Sequence, residues 1–389
     1  MKRNVLVIAG LAVLSTNAFA SKARVEALNQ DSVRGSEYIS DSRNIFRNPA
    51  HLNTMSNYII TEWGTASTFD TQAAPRAEGG FFRETGAFNY GIYLGNNGSV
   101  LNPNLTNVTA PSAFTTPSFL RQDNAIDLFF AGDMGLQWGA KVHYAGSDDE
   151  SVAGNKREND ALGIGLGIAS GAFDAYVDFT IKDKSTGNTA VAGTTPVTVA
   201  GLASDEFEVK PSFIAGGSYT WNATTFFANY ERNKAEQRLN NVNSTFKSDA
   251  INVGAGRIWD INPTAKVFTD AKVVLASTES PTPKLKSQRL PVTIGMEAEA
   301  TSWLTLRGAV TQNFILGKEE TSVGGAARER TIANSTNVSA GATLNFGKLK
   351  VDGVIGNTGG SRATGTVGQE QGVLTTDNLL TRVGVTYMF

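Results

Sequence analysis

The stretch Phe173-Asp174-Ala175-Tyr176-Val177-Asp178-Phe179-Thr180-Ile181 puts Phe173, Ala175, Val177, Phe179 and Ile181 on one face of an extended chain. Asp174, Tyr176, Asp178 and Thr180 take the other. A period of two is the strand signature; a helix would scatter these residues around its circumference. Just upstream, Leu162, Ile164, Leu166 and Ile168 oppose Gly163, Gly165 and Gly167. Further back, Leu136, Trp138, Ala140, Val142 and Tyr144 oppose Gln137, Gly139, Lys141 and His143. The same alternation recurs around 207–221, 225–230, 250–259, 265–275, 290–298, 303–314, 337–346, 349–356 and 380–389. A soluble all-β sandwich would alternate in the same way, so the connections must decide.

Those connections alternate in length. Short turns fall near 132–134, 170–172, 222–224, 261–263, 300–302 and 347–348, with longer polar stretches at 145–160, 183–205, 231–248, 316–332 and 357–378. Short periplasmic turns alternating with long extracellular loops are the pattern of an all-β, transmembrane, antiparallel up-and-down β-barrel. Trp138, Trp221, Trp259 and Trp303 all lie beside short turns. If those turns share one side, the four indoles form a periplasmic aromatic girdle at the membrane interface. The chain ends in Val383, Val385, Tyr387 and Phe389, alternating with Arg382, Gly384, Thr386 and Met388. Tyr387 and the terminal Phe389 resemble the C-terminal signal read by the barrel-assembly machinery. The count favours sixteen strands if 77–83 is a strand turning at Glu84-Thr85-Gly86, and gives fourteen otherwise; bacterial single-chain barrels are normally even.

Met1-Lys2-Arg3, an apolar run from Val5 to Leu14 and Ala18-Phe19-Ala20 before Ser21 read as a cleaved signal peptide over 1–20. Its apolar core is about ten residues, half of the roughly 20 that a spanning helix needs. Residues 21–52 read as a periplasmic or plug segment and 53–389 as the barrel. The 389 residues carry a formal charge of -2, no cysteine and two histidines. No basic excess points to nucleic acid. Without cysteine there is no disulfide framework or thiolate site. His51 and His143 sit in no nucleophile motif, so neither an enzyme nor a cofactor or metal site is expected.

In lipid the apolar face must point outward, where a midplane lysine or arginine would cost about 2–4 kcal/mol. The inward set then includes Asp127, Lys141, His143, Asp174, Asp178, Lys182, Glu208, Lys210, Lys266, Asp270, Lys272, Glu297, Glu299, Arg307, Lys350, Asp352 and Arg382. Charges of both signs need water or partners. A sixteen-stranded wall normally encloses a channel. Gly163, Gly165 and Gly167 leave room for a loop or the N-terminal segment, or mark a close approach of strands. The stretch 96–123 either folds inward as a constriction or stays at the surface.

The run Asn44-Ile45-Phe46-Arg47-Asn48-Pro49-Ala50-His51-Leu52, with Asn48-Pro49-Ala50 at its heart, resembles the FadL-type superfamily of outer-membrane transporters. The hairpin Ile126 to Tyr144 is similar to an early hairpin of that family. The pattern from Ala23-Arg24-Val25-Glu26-Ala27-Leu28 onward also resembles major outer-membrane proteins of Bdellovibrio-type predatory bacteria. The FadL resemblance implies an N-terminal plug and a hydrophobic cargo, whereas the charged inward faces point to water-soluble solutes. Three functions follow: a Gram-negative porin for passive diffusion of ions and small hydrophilic solutes, a FadL-type carrier of hydrophobic compounds, or a structural or adhesive barrel. Expected partners are outer-membrane lipid and lipopolysaccharide, the barrel-assembly machinery and small solutes. The apolar outer faces also suit a homotrimer.

Overall fold

The computed structural model describes residues 21–64, 76–86, 88–96, 122, 124–152, 155–187, 205–239, 242–279, 284–316, 319–323, 326–330, 335–361 and 378–389. The leader at 1–20 and nearly all of the stretch 96–123 lie outside the described residues. The wall begins with β1 (Tyr58–Gly64), β2 (Arg76–Glu84), β3 (Asn89–Leu94) and β4 (Ile126–Asp133). It continues with β5 (Gln137–Val152), β6 (Asn155–Ser170), β7 (Phe173–Gly187), β8 (Asp205–Val209) and β9 (Ser212–Trp221). Next come β10 (Thr224–Leu239), β11 (Val242–Asn262), β12 (Ala265–Glu279) and β13 (Lys284–Thr301). The last are β14 (Leu304–Ile315), β15 (Glu319–Val323), β16 (Ala326–Arg330), β17 (Ser335–Phe346), β18 (Leu349–Ser361) and β19 (Asn378–Met388).

Three wall strands are each made of two collinear segments. β8 and β9 both pair with β7 and β10, broken at Lys210-Pro211, where proline withholds an N–H from the ladder. β15 continues β14 along β13, and β16 and β17 form one strand beside them. The 19 segments are thus a closed antiparallel barrel of 16 strands. The strand at 77–83 is present within β2, which settles the count. Closure runs from Tyr58↔Met388 to Gly64↔Arg382 between β1 and β19 and leaves no open edge to lipid.

Short turns gather at the end that holds Phe389. Gly135 (φ 89°) and Gly347 (φ 69°) have open space around them, so backbone conformation and not crowding calls for glycine there. Within the polar stretches 145–160 and 231–248, residues 145–152, 155–160, 231–239 and 242–248 are strand and not loop. β5–β6 stay paired out to Val152↔Asn155, and β10–β11 to Leu239↔Val242. Ion pairs such as Arg157–Asp149 take over from apolar residues there, because the ladder continues past the membrane into water.

The outward face is apolar, with Leu128, Phe130, Leu166, Val253, Ile294 and Val310 exposed on it. Trp221, Trp259 and Trp303 project from the same face beside the short turns. Trp138 shares that face by alternation with buried Gly139 and Lys141. The Arg257 guanidinium lies 4.0 Å from the Trp259 ring centroid, so this outward cation is covered by an aromatic face. Phe389 stacks on Phe81 at 5.6 Å, and its N–H donates to the Asn57 carbonyl at 3.2 Å.

Candidate functional site

Residues 21–56 run through the lumen and touch the wall on every side. Helix α1 (Lys22–Ala27) is too short to stand alone, and wall contacts hold it. Arg24 Nε donates to Glu297 at 2.8 Å, Arg382 Nε to Glu26 at 2.8 Å, and Ala27 sits over Gly341. Asn29, in the left-handed region at φ 53°, ends the helix. Gln30 and Tyr38 then donate to Asp270 on β12 at 3.0 and 2.8 Å, and Arg34 to Glu231 on β10 at 3.3 Å.

Two single 3₁₀ turns follow. Asp41 caps Ser42–Phe46 by accepting the Arg43 N–H. Asn48 caps Pro49–Asn53, where Pro49 occupies the first position and has no N–H to leave unpaired. Asn48 Nδ2 donates to the Ile168 carbonyl on β6 at 3.0 Å. Asn53 Nδ2 donates to the Gly132 and Trp138 carbonyls at 3.1 and 3.2 Å. The wall makes room for Asn48-Pro49-Ala50 with glycine. A methyl group on Gly139 would lie 2.2 Å from the Pro49 carbonyl carbon, and one on Gly167 1.9 Å from Asn48 Oδ1. Gly165 faces Asp178 and Lys141 instead, and a methyl group on Gly163 would make only ordinary contacts, 3.5 Å from the Phe179 carbonyl oxygen.

One flank of the segment is apolar. Ile45, Phe46 and Leu52 pack on Tyr58, Ile60, Phe82, Tyr93 and Phe129 from β1–β4. Phe46 meets Tyr93 edge-on at 4.9 Å, and Arg43 lies 3.7 Å over the Phe46 ring. Glu62 is buried within this flank, accepting from Tyr93 Oη at 2.6 Å and from the Lys22 N–H. Alternation could not assign these inner residues, because β1 is largely apolar on both faces. Burial, with Arg43 adding to it, lowers the Lys22 ammonium to about 8 against the pull of Glu78 and Glu62. Burial likewise lifts the Asp41 carboxyl to about 6 despite Arg24 beside it.

Most of the sequence-predicted inward charges meet partners. Lys141 is sequestered, 2.7 Å from the Phe46 carbonyl and 2.8 Å from Asp178. Asp174 holds His51 at 3.0 Å and faces Arg47 at 3.7 Å. Glu297 bridges Arg24 and Arg307 (3.0 Å), and Arg307 reaches Asp352 at 3.1 Å with Lys350 nearby. Lys266, 3.7 Å from Asp260, and Glu299 lie exposed at the short-turn rim. Asp127 and His143 pair at 2.9 Å.

Lys210, with Lys182 and Glu208, does not face the lumen. The β6–β7 register jumps from Gly163↔Thr180 to Leu162↔Lys182, so Ile181 is skipped and Lys182 turns outward to Asp160. Glu208 lies opposite Glu236, across from buried Val209↔Ala235, and Lys210 joins those two carboxylates on the outer face at 2.7 and 3.4 Å. A skipped residue reverses every assignment beyond it. Asp183 is inward for the same reason, and accepts from Gln122 at 2.7 Å. Gln122 also lies 3.2 Å from His143, while Asn96 donates to Asp127 at 3.0 Å. Both ends of the stretch 96–123 are therefore tied to the inner face.

A cavity of about 320 Å³ remains between residues 29–38 with Arg47 and the wall from β9 to β14 with Tyr176 of β7. Its lining is mostly polar, including Asn229, Asn252, Asp270, Lys272, Thr293 and Thr311. Among the described residues no three His, Asp or Glu side chains converge as a metal site.

A closed 16-strand barrel with an apolar exterior and a charged interior is an outer-membrane protein with a channel fold. Solved structures similar to this chain include a Pseudomonas aeruginosa FadL homologue (13% identity, 96% of this chain and 99% of that one, TM-score 0.44). The CymD monoaromatic hydrocarbon channel is also similar (10% identity, 96% and 98%, TM-score 0.42), as is Vibrio cholerae OmpT (13%, 86% and 97%, TM-score 0.36). No family model and no curated protein matches the sequence.

Proposed function

We propose that the protein is a porin-like outer-membrane channel for small hydrophilic solutes, narrowed by residues 21–52 acting as a plug. The polar cavity beside the segment carries this reading. The inner apolar residues of β1–β4 are used up in packing against Ile45, Phe46 and Leu52, and the remaining space is lined chiefly by amides, hydroxyls and charges. Such a lining suits a hydrated solute better than a hydrocarbon. Because the segment occupies the lumen and many of the inward charges are paired with it or with one another, conductance is expected to be small. Planar-bilayer recording of the refolded protein is expected to show small stepwise openings, and sugars are expected to enter liposomes that contain it. Absence of both currents and sugar entry would overturn the reading.

The second reading is a FadL-type carrier of hydrophobic compounds. It rests on the apolar inner patch around Phe82, Tyr93 and Phe129 and on the Asn48-Pro49-Ala50 motif. It predicts monoaromatic uptake without sugar entry. The proposal also includes a leader at 1–20 removed on export, Tyr387 and Phe389 as the signal to the assembly machinery, lipopolysaccharide around the barrel and no catalytic role. A homotrimer is to be checked by crosslinking.

A further inference from the structure

We propose that the cavity between residues 29–38 and the β9–β14 wall binds small monocarboxylate solutes, with Lys272 as the anchoring cation. This rests on the hydrophilic-channel reading and names the class of solute that lingers on the route. The argument begins with the acids of the cavity, each of which is already occupied. Asp270 accepts from Gln30 and Tyr38. Glu37 Oε1 accepts from Tyr176 at 2.8 Å and Asn229 at 3.3 Å, and Oε2 faces Arg47 at 3.3 Å. Asp31 takes the Val33 and Arg34 N–H groups and the Arg34 side chain.

The cations are not used equally. Arg34 and Arg47 are committed to Asp31, Glu231, Glu37 and Asp174. Lys272 lines the cavity and its charge acts on Asp31 and Asp270, but among the described residues it forms no hydrogen bond or close ion pair. An ammonium with no protein acceptor in a half-enclosed polar space is best completed by an incoming anion, whose charge-assisted hydrogen bond is stronger than that of a neutral acceptor. Three acids around the same space disfavour a doubly charged phosphate and leave a single carboxylate as the best-matched anion. Ile214, Phe227 and Pro291 give the cavity a small apolar side for a short carbon chain. At about 320 Å³ the space has the size of a small-ligand pocket.

Calorimetric titration of the refolded full-length protein with propionate, propanol, propylamine and inorganic phosphate tests the site. Propionate is expected to bind at least tenfold more tightly than the other three. Lys272→Met, checked for heat-modifiable gel mobility like wild type, is expected to weaken propionate at least tenfold. Equal binding of propanol, tighter binding of phosphate or an unaffected Lys272→Met would each overturn the proposal.

The chain has no cysteine, so an introduced one reports without background. In Asn252→Cys a negatively charged thiosulfonate reagent is expected to react, and propionate to slow it. Ala131→Cys, on the packed flank, is expected to stay unlabelled. Labelling of Asn252→Cys that propionate leaves unchanged overturns the placement. Sugar entry into liposomes, measured in parallel, separates the two claims. Entry without propionate binding removes this site alone, whereas binding without entry or current removes the channel reading.

Discussion

Asn48 uses the two ends of its amide differently: Oδ1 caps the turn that it begins, and Nδ2 ties that turn to the β6 backbone. Replacing it with alanine is expected to cost about 1–2 kcal/mol of segment docking, read as faster hydrogen exchange at the Ala50 amide. The glycines beneath it differ in what they tolerate. Gly139→Ala meets rigid backbone and is expected to cost about 1–3 kcal/mol, with a larger single-channel current as the segment loosens. Gly163→Ala meets nothing nearer than 3.5 Å and is expected to stay within about 0.5 kcal/mol of wild type. Asp41 gives a pH signature. Its carboxyl is raised in the folded state from 3.8 to about 6, so its stabilising contribution is complete below the lower value and is lost as pH rises through the upper. Asp41→Asn is expected to flatten the pH dependence of protease release of the segment across that window. At this scale the sequence was legible where charges alternate cleanly, as at Asp174 and Asp178. It was silent on Arg24, Arg43 and Arg47, whose partners lie on strands far away in the chain.

The lumenal segment is the element that changes the meaning of the inner face. Alternation showed that charges point inward, and it could not show that Arg24, Arg34 and Arg47 come to meet them. Lys141, which looked like a pore charge, is locked between the Phe46 carbonyl and Asp178. Lys141→Glu is therefore expected to unseat the segment and not to act as a simple charge reversal. Two buried carboxylates face to face are expected to cost about 3–5 kcal/mol or more, seen as a lower unfolding temperature. Deleting residues 21–52 is expected to raise single-channel conductance several-fold if the barrel still assembles, as judged by heat-modifiable mobility. The misplacement of Lys210 and Lys182 also belongs to this scale. A single skipped residue at Ile181, and the proline break after Lys210, carry no signature in hydrophobic period.

For the whole molecule, fold class and strand number were legible because turn parity and period are global properties. The extent of the strands was not, since β5–β6 and β10–β11 continue through sequence too polar to mark as wall. The contacts of α1 with β17 and β19 carry a further consequence, for the order of assembly. Glu26 meets Arg382 across 356 positions of sequence, and Asn29 meets the Asn337 carbonyl across 308. The first turns of the segment, unlike residues 45–53 that seat on β1–β7, cannot complete their contacts until the last strands are in place. Contacts of such separation form late, because their loop-closure entropy comes before any reward. During assembly α1 is therefore expected to reach its final seat only once β19 has closed the seam.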